Sequence, residues 1–73
     1  MKYYFVMIDE KTIAGLERAD IESNPIVLER WDKATGKWVF NPDTYSGVSG
    51  FSSDADNYKE VTKQEADKYR KKS

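Results

Sequence analysis

The chain has 73 residues and a net charge of −1, from 12 basic and 13 acidic side chains, and contains neither Cys nor His. That excludes disulfides, thiolate metal centres and every Ser-His-Asp or Cys-His catalytic arrangement. A chain this short forms one domain, buries roughly 60% of its extended surface and is held by a few kcal/mol. With two Trp, five Tyr and three Phe, but Leu at positions 16 and 28 alone, the core is expected to rest on rings and β-branched side chains, which favours sheet.

Tyr3 to Ile8 is unbroken apolar sequence. Both alternating sets are apolar, Tyr3, Phe5 and Met7 on one face and Tyr4, Val6 and Ile8 on the other, so a central strand is predicted. The run is too short for a secretion signal or a membrane span, and a cytoplasmic protein with no membrane partner is expected. Asp9 to Thr12 has the length of a hairpin connection. Thr12 to Ile21 is predicted as a second strand, with Ile13, Gly15 and Ile21 on one face and Ala14 and Leu16 on the other. A helix is the alternative there, but Gly15 in its middle costs about 1 kcal/mol. In a strand, Gly15 marks a bulge or the close approach of a ring. Glu22 to Pro25 is a turn.

Ile26–Trp31 and Lys37–Phe40 are predicted as the third and fourth strands, joined through Lys33-Ala34-Thr35-Gly36. A four-residue hairpin loop ends on a residue of positive φ, which Gly36 adopts without steric cost, and Asp32 can accept from the loop amides. This register pairs Asp32 with Lys37 and Trp31 with Trp38. Val27, Glu29 and Trp31 then share a face with Trp38 and Phe40, and Ile26, Leu28 and Arg30 share the other with Lys37 and Val39.

Asn41-Pro42-Asp43 reads as a helix start, with Asn41 as cap and Pro42 in the first position. Gly47 and Gly50 are expected to stop this helix after about two turns. Phe51 to Asn57 reads as a polar loop pinned by Phe51, and Tyr58 to Val61 as a short extended piece. Thr62-Lys63-Gln64-Glu65 is a capping box opening a helix from Lys63 to about Lys71. Ala66 and Tyr69 form its thin apolar face, Lys63–Asp67 and Asp67–Lys71 are candidate ion pairs, and residues 70–73 are expected to fray. The fold class is α+β: a four-stranded, mainly antiparallel β-meander, a short helical turn after Pro42 and a C-terminal helix, all in one domain over residues 1–73.

The chemistry-bearing patterns are weak. Thirteen scattered acids make a glycosidase-like carboxylate pair easy to find and uninformative, so no enzyme, catalytic residue or cofactor is expected. Asp54, Asp56 and Glu65 fall at calcium-loop spacing, but Lys59 replaces the glycine such a loop requires, and no metal site is expected. Gly47-Val48-Ser49-Gly50 lacks the lysine of a phosphate loop. Residues 63–73 carry five basic and two acidic groups, against seven and eleven in residues 1–62. Asp9, Glu10, Glu17, Asp20, Glu22 and Glu29 lie along the sheet segments, where a nucleic-acid groove would be basic, so nucleic acid is a lesser candidate.

There remains a non-enzymatic binding protein whose partner is another protein, with Trp31, Trp38, Phe40 and Tyr45 as the interaction surface and Arg30 at its edge. The tryptophan pair reads first as half-buried core and second as an exposed platform. An exposed edge strand offers a route to a homodimer. An inhibitor or accessory protein of a phage or mobile element is the runner-up. Glu29-Arg30-Trp31-Asp32-Lys33-Ala34-Thr35-Gly36-Lys37-Trp38-Val39, then Asn41-Pro42-Asp43, Asp54-Ala55-Asp56 and Val61-Thr62-Lys63-Gln64-Glu65-Ala66 resemble, in order, a pattern of short uncharacterised bacterial proteins, and Gly15-Leu16-Glu17-Arg18 is similar to their first segment. The likeness spans about 45 residues and departs at Phe40, where a proline is expected, and after Tyr45. It implies a shared small fold and no activity.

Overall fold

The structure, a computed structural model, describes residues 1–49 and 57–72. Five strands, β1 (Lys2–Met7), β2 (Ile13–Asp20), β3 (Val27–Asp32), β4 (Lys37–Phe40) and β5 (Tyr58–Val61), form one antiparallel sheet in the order β4-β3-β2-β1-β5. Helices α1 (Thr44–Ser49) and α2 (Lys63–Lys72) complete the fold. The α+β class, the antiparallel sheet and the C-terminal helix match expectation, but the four-stranded meander becomes a five-stranded sheet. A meander alone would leave β1 at an edge, at odds with its two apolar faces. β5 removes the conflict by lying against β1 from Tyr3↔Val61 to Val6↔Tyr58.

β1 ends one residue earlier than expected, and Ile8 is exposed beyond it. The β1–β2 connection is organised by Asp9, whose carboxylate accepts from the Lys11 and Thr12 amides, each at 2.8 Å, and from the Thr12 hydroxyl at 3.1 Å. The Lys11 amide, then the Thr12 hydroxyl, hold the Asp9 carboxyl below its usual range. In β2 the pairing passes from Val6↔Gly15 to Met7↔Ile13, so Ala14 is the extra residue of a bulge. A bulge switches the faces of everything before it. Ile13 therefore lies opposite Met7 rather than sharing a face with Gly15, and Ile21 stands beyond the strand, exposed. Among the described residues no ring approaches Gly15, since a Cβ there would meet nothing within 4 Å.

The tryptophan hairpin forms in the expected register, with Asp32↔Lys37, Trp31↔Trp38, Arg30↔Val39 and Glu29↔Phe40. Gly36 has φ of 66°, and the Asp32 carboxylate accepts from the Ala34 amide at 3.1 Å and the Thr35 hydroxyl at 3.0 Å. Replacing Gly36 by Ala is expected to cost about 1 kcal/mol, the penalty of a left-handed conformation for a residue with a Cβ. A lowered urea midpoint with an unchanged slope checks it.

The two helices cover opposite faces. α2 lies over the Tyr3–Phe5 face, with the Tyr69 ring 5.5 Å from Phe5 and Ala66 fully buried. The capping box closes as expected: the Glu65 amide donates to Thr62 Oγ1 at 3.1 Å and the Thr62 amide to Glu65 Oε1 at 3.3 Å. Asp67 pairs with Arg70 at 3.2 Å, not with Lys63 or Lys71. α1 lies on the Tyr4–Val6 face. It begins at Thr44, two residues later than the proline-first reading, after a turn in which the Thr44 amide donates to the Asn41 carbonyl and the Tyr45 amide to that of Pro42. Gly47 does not stop α1 but sits inside it, buried. The Phe51 pin and the Asp54–Asp56 calcium spacing fall outside the described residues.

Candidate functional site

On the α2 face, Trp31 and Trp38 pack edge to face, with ring centroids 5.5 Å apart. Both are half-buried. Two guanidiniums bracket them: Arg18 lies 4.2 Å over the Trp38 ring, and Arg70 of α2 lies 4.4 Å over Trp31 and 5.6 Å from Trp38. Arg18 is fixed from the other side by Glu29, its cross-strand partner, through Nε at 2.7 Å and Nη2 at 2.5 Å. The Trp38 ring leans inward across the sheet to within 6.1 Å of Tyr3. The pair is therefore a lining between sheet and C-terminal helix rather than an open platform. Removing the Arg70 side chain is expected to cost about 1 kcal/mol and to raise acrylamide quenching of the tryptophan emission. Unchanged quenching in Arg70→Ala would show that Arg70 shields neither ring.

The five expected interface residues do not converge. Trp31, Trp38 and Phe40 share the α2 face. Arg30 is exposed on the opposite face beside Val39, and Tyr45 is exposed on α1. What they leave is the end of β4, where Phe40 is 68% and Val39 37% exposed. β4 is an edge of the sheet, and among the described residues no strand lies on its outer side. The Asn41 amide donates inward to the Leu28 carbonyl at 2.8 Å. Because antiparallel strands alternate bonded and non-bonded positions, Val39 and Lys37 also turn their backbone groups toward β3. Trp38 and Phe40 turn theirs outward.

The other edge is of a different kind. β5 exposes Lys59 and Glu60, charges of the type that keep an edge from pairing. β4 carries one charge, Lys37, followed by Trp38-Val39-Phe40.

A buried polar cluster on the α1 face went unforeseen. Glu17, buried in β2, accepts at Oε1 from the Thr44 hydroxyl at 2.7 Å and the Tyr58 hydroxyl at 2.5 Å, and Asn41 Nδ2 donates to Thr44 Oγ1 at 3.1 Å. One carboxylate thus ties β2 to α1 and β5. The Tyr58 ring also meets Tyr4 edge-on at 6.2 Å. Burial pushes the Tyr4 hydroxyl above its ordinary value, and the charge of Glu60 opposite adds to the rise. Beside the cluster the β2–β3 ladder stops at Glu17↔Arg30, and a cleft of about 400 Å³ opens between Gly15 and Trp31, under Tyr69.

No helix among the described residues is long and apolar enough to cross a membrane. Comparison of the chain with protein-family models, with curated proteins and with solved structures gave no match.

Proposed function

We propose that the chain is a small non-enzymatic interaction domain that grips another protein along β4. The observation that carries this reading is the outward-turned backbone of Trp38 and Phe40 on an edge strand whose last side chain is a 68% exposed phenylalanine. Such an edge supplies main-chain hydrogen bonds for affinity and an aromatic anchor for selectivity. The carboxylates beside the cleft are engaged elsewhere. Glu17 is bonded to two hydroxyls, and Asp32 holds its own hairpin loop. This supports a structural role for them rather than acid–base work. Glu17 and Glu29 along the sheet also argue against a phosphate-binding groove.

Site-specific photo-crosslinking in the native host tests the reading. A photoreactive residue at position 40 is expected to give one discrete adduct, absent when the probe is placed at Lys59 on the opposite edge and lost when Val39→Lys is added. Adducts of equal intensity from both edges, or none from position 40, would count against a β4 interface.

A further inference from the structure

We infer that the partner of β4 is a second copy of this chain, paired antiparallel through Val39 on a two-fold axis. The inference rests on the proposed β4 interface and names its occupant.

Strand register selects this pairing. A two-fold axis perpendicular to a continuous sheet keeps residues of like face together, so it must pass through a residue rather than between two. In β4 the choices are Trp38, Val39 and Phe40. With Val39 on the axis, Trp38 of each copy faces Phe40 of the other. These are the two residues whose amide and carbonyl point outward, so two bonded pairs of two hydrogen bonds each form, about four in all. With Trp38 on the axis, one bonded pair forms, and Phe40 meets Gly36, whose amide already donates to the Asp32 carbonyl at 2.8 Å. With Phe40 on the axis, Trp38 meets Pro42, which has no amide hydrogen. The Val39 register satisfies the most backbone groups.

Side chains agree with it. Trp38-Val39-Phe40 is an aromatic–aliphatic–aromatic triplet, symmetric about the axis it would occupy. On the α2 face each exposed Phe40 comes beside the other copy's Trp38, and on the α1 face the two Val39 side chains, each 37% exposed alone, meet. Charge fits as well. Lys37 of one copy lies opposite Asn41 of the other, toward the exposed Asp43, and no two like charges are opposed. The Trp38 ring leans inward toward Tyr3, away from the outer edge, where among the described residues no strand covers its backbone. β5, with Lys59 and Glu60 outward, has no such self-complementarity.

Sedimentation with charge-swapped variants tests this. Wild-type protein is expected to double its mass from 8.5 kDa as concentration rises from micromolar to millimolar. Val39→Lys places two ammonium groups on the axis, and Val39→Glu two carboxylates. Each variant alone is expected to stay monomeric while keeping the far-UV spectrum of the parent. Mixed in equal amounts, they should again form a species of doubled mass. A wild type that stays monomeric at millimolar concentration overturns the inference, as does a mixture that fails to associate while wild type does. A monomeric wild type that still crosslinks through position 40 to a different protein would sink the homodimer and leave the β4 interface standing.

Discussion

Replacing Glu17 by Ala is expected to destabilise the protein by about 3 kcal/mol, from the lost contacts of a buried side chain and the two hydroxyls left without their acceptor. Glu17 accepts from both Thr44 and Tyr58, so its loss removes the side-chain ties of α1 and β5 to β2 together. In a domain of this length that is a large share of the total, and Glu17→Ala should be substantially unfolded in buffer. Glu17→Gln keeps a carbonyl oxygen in place of Oε1 and should cost about 1 kcal/mol, as a charge-assisted bond becomes a neutral one. Urea titrations followed by far-UV circular dichroism order the three proteins. A midpoint for Glu17→Ala equal to that of Glu17→Gln would mean that the two hydroxyl bonds contribute nothing.

The second large effect is at Gly47. In a helix interior, Gly to Ala normally gains about 1 kcal/mol. Here the new methyl would overlap the Tyr58 ring, whose carbons lie where the Cβ would be. That ring cannot simply turn aside, because its hydroxyl is bonded to Glu17 and its backbone is paired with Val6. Overpacking should outweigh propensity, giving a net loss of about 2 kcal/mol. Gly15→Ala is the matched comparison. Among the described residues nothing stands within 4 Å of a Cβ at Gly15, and its φ is not positive, so Ala there is expected to be neutral or to stabilise by about 0.5 kcal/mol. Thermal melts that rank Gly47→Ala at or above wild type would contradict the close approach of Tyr58.

What was legible in the sequence was local. The register of the tryptophan hairpin follows from Gly36 and Asp32, and the α2 start from Thr62 and Glu65, because a turn and a cap are decided within four residues. The apolar faces of β1 announced a central strand. What lay hidden was set by distant partners. Tyr58 to Val61 is short and carries Lys59 and Glu60, so nothing in its alternation said that it pairs with β1. Gly15 marked a bulge in β2, but nothing in the sequence said that its neighbour Ala14 is the extra residue, which moves Ile13 to the other face. Glu17, read only as one of the acids along the sheet segments, is buried because two hydroxyls some 27 and 41 residues away converge on it. The candidate interface was partly legible. Phe40 and Trp38 were picked out for their size, but Arg30 and Tyr45 stand on the far side of the sheet, and Arg18 and Arg70 were missed as the groups that cover the tryptophans. Val39, the residue on the inferred axis, was seen only as the opposite face of β4. Its importance comes from strand order and from the inward bond of Asn41.

If the outer backbone of β4 is an interface, amide hydrogen exchange reads it directly. The Val39 amide turns toward β3, and the Trp38 and Phe40 amides turn outward. Val39 should exchange slowly at every protein concentration. Trp38 and Phe40 should exchange fast in dilute protein and slow down together as concentration rises, while the exposed Lys59 and Glu60 on the other edge keep the same rates. Trp38 and Phe40 amides that exchange fast at all concentrations, and stay fast in the presence of any partner captured at position 40, would show that the outer edge of β4 is no interface.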